Sequence, residues 1–537
     1  MRKADWILES EALFTGMTAG PEPGCVAVGG DRILAVGSLS EVRDLRGPNT
    51  KVFRFGNQLI MPGFHDFHLH VVLGSLCLET VDLTSATSEE EAALMVKRFA
   101  DTRPDDPWVL GWGWYHTFWN SKRLPHRSTL DRLIPDRPVF LFNAEFHGAW
   151  LNTKGLEVVG ITKETPDPPF GRIEREPDGS PSGFLYETAM GLAKEALSLS
   201  KSRRRNLIKG FLKECARQGV TSVHDMFPLP GLNLGDLETY EELERSGELT
   251  SRIHFLSALD GDFEWPQYLR RTYRSDVLQF SGLKQFLDGV PVTYTAYLLS
   301  PYSDRPDISG RPLFPPETVK EWTVAADKEG FRVRFHACGD GAVRLALDCF
   351  ELARVKNGRR DARHTIEHIE VIHPADLPRF AELEVIASMQ PEHLRATPFF
   401  EDNPYRVRYA GEREQYLWAI RSLKEHGARV ALGSDFPVVT INPFTEIYRA
   451  VSRLHDDGQP VGGWNPEQKL SVNEVLTDYT AGSAFAAFRE NDLGTLEPGK
   501  RADLVVLDRN LFDIDPTEIR DTRVILTMMN GRIVYEG

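Results

Sequence analysis

From about residue 61 to about residue 485, strand-like apolar runs alternate with helix-like runs, and no other feature limits the fold as much. Strand candidates lie at 139–143, 220–225, 253–257, 282–288, 332–336, 384–388 and 429–435. Helical candidates at 317–329, 342–354 and 416–426 fall between several of them. Such alternation implies a parallel sheet, and a (β/α)8 barrel with insertions fits the length. A doubly wound sheet is the competing architecture, but no GxGxxG opens a helix here.

The two ends of the chain differ from this middle. Residues 25–37 form two short β-rich runs around Gly29-Gly30-Asp31, and residues 522–535 read as a hairpin turning at Asn530-Gly531. Residues 502–508 make a further strand. Segments 1–60 and 486–537 together suggest one small β-sandwich domain built from both termini, leaving 61–485 for the barrel.

Bulk composition excludes several classes. Lys and Arg number 63 against 78 Asp and Glu, a net charge of −15, which argues against nucleic acid or an anionic membrane as main partner. The basic run Lys201–Arg205 reads as a solvated helix start. Five widely spaced cysteines without CxxC do not make a disulfide framework and point to a reducing compartment. No long apolar stretch opens the chain or interrupts it, so a cytoplasmic location is expected.

Ligand-type residues collect where barrel chemistry collects, at the C-terminal ends of strands. His68 and His70 stand two apart after Met61-Pro62-Gly63-Phe64, so strand periodicity aims both imidazoles the same way, as a chelate for a divalent metal such as zinc. Lys284, His336, His368 and Asp435 each follow or finish an apolar run. A carboxylate coming off a buried strand, as Asp435 does, is costly without a metal or a base beside it.

These pieces resemble the amidohydrolase superfamily, in the branch that includes N-substituted formamide deformylases. The resemblance rests on Met61–Phe64 leading to His68-Leu69-His70, on Phe335-His336-Ala337-Cys338-Gly339-Asp340, and on Ile366-Glu367-His368 followed by residues 388–393. Leu432-Gly433-Ser434-Asp435-Phe436-Pro437 and the tail 494–505 extend it over nearly the whole length.

The resemblance implies roles. His68, His70 and Asp435 match ligands of the more buried metal, with Asp435 also the general base. His336 and His368 match ligands of a second metal, and Lys284 matches a lysine often carbamoylated to bridge the two. The expected cofactor is therefore one or two zinc-like ions that ionise a shared water, whose hydroxide attacks an amide carbonyl. Glu187 could substitute as bridge, and Lys284 could instead pair with Asp288. His147 resembles a branch histidine that could stabilise an oxyanion.

His224, Glu187, His393, Trp112, Trp114 and Tyr297 are further substrate-pocket candidates, the tryptophans from the aromatic segment 108–119. The expected substrate is a small amide or formamide, with homodimerisation left open. Two alternatives stand beside it: a mononuclear deaminase of a heterocycle, and a scaffold of the same fold without activity. Superfamily deaminases usually carry a glutamate three residues after the strand-five histidine, where this chain has Gly339.

Overall fold

The computed structural model describes residues 3–229 and 231–537, which divide into two compact units. The first comprises the chain up to Leu69, Leu212–Met226 and Tyr240–Gly537; the second comprises His70–Phe211 and the described part of Phe227–Thr239.

The first unit holds the barrel. Its eight strands are β1 (Phe64–Leu69), β2 (Val220–Asp225), β3 (Arg252–Ala258), β4 (Leu278–Phe286), β5 (Val333–Ala337), β6 (Thr365–His368), β7 (Ile386–Met389) and β8 (Arg429–Leu432). Consecutive strands pair in parallel throughout. A parallel bridge between Leu69 and Phe436 brings the last strand back to the first, and the Asp435 N–H donates to the His68 carbonyl at 2.6 Å.

Alternation along a strand decides what the barrel contains. In β5, Phe335 stacks on Phe350 of the helix Asp340–Asn357, so Arg334 and His336 take the opposite face. The same logic puts ionisable side chains on the interior of other strands, and Lys284, Arg334 and Glu367 are all fully or almost fully buried. The expected helix over 416–426 is shorter, Ile420–Glu425, because the backbone turns left-handed at Trp418 (φ 44°).

Both termini supply one eight-stranded sheet of the first unit. Its order is Arg532–Glu536, Val524–Met529, Leu504–Leu507, Leu59–Pro62, Trp6–Leu13, Glu22–Gly29, Arg32–Gly37, with Lys51–Arg54 also on Trp6–Leu13. Leu8, Val26, Ile60, Val506 and Met528 share one of its apolar cores.

The second unit corrects one sequence expectation. Residues 139–143 form a strand, but not of the barrel: they lie inside a separate six-stranded sheet made of residues 81–187. Trp114, Trp119, Trp150, Leu141 and Phe184 fill its core. The run is as apolar and β-rich as a barrel strand, so periodicity alone could not tell the two sheets apart.

Candidate metal centre

Three of the sequence candidates converge at the C-terminal ends of the barrel strands. His68, His368 and Asp435 offer ligand atoms all within 4.8 Å of one another, and all three side chains are buried. His68 Nε2 stands 3.3 Å from Asp435 Oδ1, and His368 Nδ1 stands 3.9 Å from Asp435 Oδ2. His368 and Asp435 both adopt left-handed φ values, 72° and 58°, which non-glycine residues take rarely and at a cost of order 1–3 kcal/mol. That strain turns both side chains out of the regular pleat where their strands end.

Surrounding residues fix this group in place. Glu367 Oε2 accepts from His68 Nδ1 at 2.8 Å, which leaves Nε2 with its lone pair toward Asp435, the arrangement that orients metal-binding imidazoles generally. Burial by itself would raise the Glu367 carboxyl, but Arg334 and His68 hold it well below the usual carboxylate range. Asp66 accepts from the Ser434 hydroxyl and backbone N–H and from the His68 backbone N–H, tying β1 to the segment after β8. Burial keeps both His68 and His368 from protonating readily, and for His368 the shift is large. Neutral imidazoles beside a carboxylate are the form in which a divalent ion is bound.

Lys284 and His336 border the group. The Lys284 ammonium nitrogen is buried and has no hydrogen-bond partner among the described residues; burial pulls its pKa from 10.5 down to about 8. It does not pair with Asp288. That carboxylate accepts instead from the backbone N–H groups of Tyr297, Cys338 and Gly339, while burial pushes it up to about 8. The His336 ring lies 4.5 Å from that of His368, and its Nε2 is 3.9 Å from Asp288 Oδ1. In this geometry His368 sits with His68 and Asp435, where the resemblance had grouped it with His336.

His393 also reaches the centre. Its Nε2 is 3.3 Å from Asp435 Oδ2, and its Nδ1 is 3.8 Å from Glu370, which accepts from the Tyr405 hydroxyl at 2.7 Å. Glu367 and Glu370 were not singled out from the sequence. Glu367 left a trace there: a charged residue inside an apolar run, one position before the predicted ligand.

His224 falls in a different cluster. It stacks with His254 and has its Nε2 3.0 Å from His65 Nε2, while Arg334 donates to its Nδ1 at 3.1 Å. Tyr297 is half-buried, and its carbonyl accepts from the Gly341 and Ala342 N–H groups at the start of the helix after β5.

The remaining candidates belong to the second unit. His70 is buried and opens the helix Val71–Cys77 as its N-cap residue. His147 Nδ1 and Glu187 Oε2 form a buried 2.7 Å contact, reinforced by the Glu187 N–H donating to the His147 carbonyl. Glu187 thus has an imidazole partner of its own. Trp112 is half-buried, donates to the Cys77 carbonyl and stacks on Phe146. Trp114 is a correction: it is fully buried in the unit's core, with its Nε1 committed to the Leu141 carbonyl, and presents no face to a substrate.

A profile of the amidohydrolase family matches residues 56–535. The chain belongs to the amidohydrolase family. As an amidohydrolase it is an enzyme, a hydrolase acting on carbon–nitrogen bonds other than peptide bonds. It is 31% identical to Protein LONG AFTER FAR-RED 3 of Arabidopsis thaliana, over 99% of this chain and 92% of that one. It is 28% identical to the N-substituted formamide deformylase of Arthrobacter pascens, over 95% and 94%. An uncharacterized metal-dependent hydrolase from Pyrococcus horikoshii superposes with a TM-score of 0.77 at 25% identity, covering 95% of this chain and 99% of that one. Among the described residues, no helix of this amidohydrolase is long and apolar enough to cross a membrane.

Proposed function

We propose that this amidohydrolase cleaves the amide or formamide C–N bond of a small, neutral molecule, using one or two zinc-like ions. His68, His368 and Asp435 would hold the first ion, and His336 and Lys284 would complete the set. The observation that carries the reading is the Lys284 amine, without a hydrogen-bond partner among the described residues, beside a compact, buried His68–His368–Asp435 group. Those donors fit a divalent ion: neutral nitrogens, one carboxylate, and an orienting glutamate behind.

A divalent ion there supplies Lewis acidity and lowers the pKa of water from 15.7 to about 7. The protein's own groups do the rest. Asp435 accepts the proton of the attacking water and delivers it to the leaving nitrogen. His393, 3.3 Å from the same carboxylate, is placed to share that proton. A desolvated lysine amine loses its proton easily, and the neutral nitrogen adds carbon dioxide to form an anionic carbamate ligand, releasing one proton.

Gly339 weighs against deamination. A Cβ at that position would stand 2.1 Å from the Tyr297 carbonyl oxygen, so no acidic side chain fits where a deaminase of the superfamily carries its glutamate. A panel of N-formyl and N-acetyl arylamines set beside purines and pyrimidines, assayed with metal-loaded protein, tests the reading. Amine release from an amide is expected; ammonia release from a ring without amine from any amide would overturn it.

A further inference from the structure

A cavity of about 360 Å³ lies in the first unit at the opposite end of the barrel from the metal ligands. The start of β4 and the residues just before β5 line it, both at strand N-termini, where barrel enzymes do not ordinarily place their chemistry, together with the segment 487–489 that follows the helix Ser483–Ala486. Its wall is basic. Arg270, Arg274, Arg332, Arg489 and His254 all face it, and among the described residues no carboxylate lines it.

Three of these guanidiniums lack a counter-ion. Arg489 pairs with Asp276 and Asp492, but Arg270, Arg274 and Arg332 meet no carboxylate within 4.0 Å among the described residues. Arg332 is the sharpest case, being almost fully buried. Its Nε and Nη2 N–H groups go to the Ser281 carbonyl and hydroxyl and one Nη1 N–H to the Ala486 carbonyl, which leaves a second Nη1 N–H without an acceptor among the described residues, with Glu367 acting on the charge only from beyond ion-pair distance. A buried cation without an anion is costly, and proteins retain such a group where an anion completes it. A second observation concerns a different side chain: His254, 2% exposed and lining the same cavity, has an Nε2 with no hydrogen-bond partner among the described residues.

We propose that this cavity binds a phosphate dianion, free or as a monoester, with Arg332 and His254 at its floor and Arg270 and Arg274 at its rim. Guanidinium forks match phosphate oxygens in pairs, and three unneutralised cations favour a dianion over a monocarboxylate. The size suits a small ligand. The site is separate from the hydrolytic centre and does not rest on the reading given for it.

The test is calorimetric titration of the metal-loaded full chain at low ionic strength with inorganic phosphate, phenyl phosphate and acetate. Inorganic phosphate should bind saturably, and phenyl phosphate shows whether a monoester is also accepted or only the free ion. Because phosphate also ligates divalent metals, the deciding variant is Arg270→Ala/Arg274→Ala, which alters two exposed side chains only. It should weaken phosphate binding by about tenfold or more, with amide turnover in phosphate-free buffer unchanged. Phosphate binding that is absent, that is equal in the double variant, or that acetate matches would overturn the assignment.

Discussion

His68, His368 and Asp435 near one end of the barrel, and His65, His224 and His254 deeper inside it, are both buried groups whose ligand-type atoms lie within 4.8 Å of one another. Counted as donors, the two are equivalent. Their neighbours are not. The first contains a carboxylate and is backed by Glu367, so positive charge arriving there is stabilised. The second contains no carboxylate, and Arg252, Arg332, Arg334 and Arg489 all act on its histidines. Burial first, then the neighbouring histidines and those guanidiniums, hold His65, His224 and His254 far below the usual histidine range. A dication there would meet several positive charges in a low-dielectric interior, where like-charge repulsion is several kcal/mol per pair. Net charge around the donors, rather than donor count, separates a metal site from a packed histidine cluster.

The largest expected effect breaks the first group. Asp435→Asn removes the carboxylate without changing shape, and turnover should fall by about 10²–10⁴-fold as base catalysis is lost. His254→Gln in the second group should leave bound metal and turnover at wild-type values. Elemental analysis and steady-state kinetics on the pair decide the matter: metal lost from the His254 variant would end the distinction drawn here.

Next in size is Lys284→Ala, expected to reduce metal content and activity together, with partial recovery in propionate as the added carboxylate stands in for the carbamate. Full metal occupancy and full turnover in that variant would remove Lys284 from the site. Glu367→Gln should follow. It loosens His68 and also strips Arg334 of its carboxylate, and a change of this kind costs about 10–100-fold in metal affinity. Competition with a zinc chelator measures it. Gly339→Ala should act on folding, because the new Cβ meets the Tyr297 carbonyl at 2.1 Å and the backbone must move. A loss of about 1–3 kcal/mol in denaturant titration is expected, with the metal ligands themselves unaltered.

Legibility followed the same divide. His68, His336, His368 and Asp435 could be picked from the sequence because each is a polar residue closing an apolar run, and a barrel collects such residues at one end. The (β/α)8 architecture and the terminal hairpins came from periodicity and turn chemistry in the same way. Other parts were hidden for stated reasons. Strand 139–143 belongs to the second unit's sheet, and its apolar pattern carries no label of which sheet it joins. Trp114 read as pocket lining because aromatic density says nothing about facing. The His65–His224 contact spans 159 positions, and Glu367 reaches His68 across 299, so neither lies within the window of a local pattern.

The Asp66–Ser434 tie joins residues 368 positions apart, next to the first and last of the proposed metal ligands. At synthesis rates of about 5–20 residues per second, roughly 20–70 s separate the emergence of one from the other. For most of that interval His68 lacks Glu367, and for all of it Asp435. On the proposed ligand set, metal capture would therefore be a late event in the life of each newly made chain, and a truncated translation product ending before residue 435 would carry most of the barrel without the carboxylate of that set.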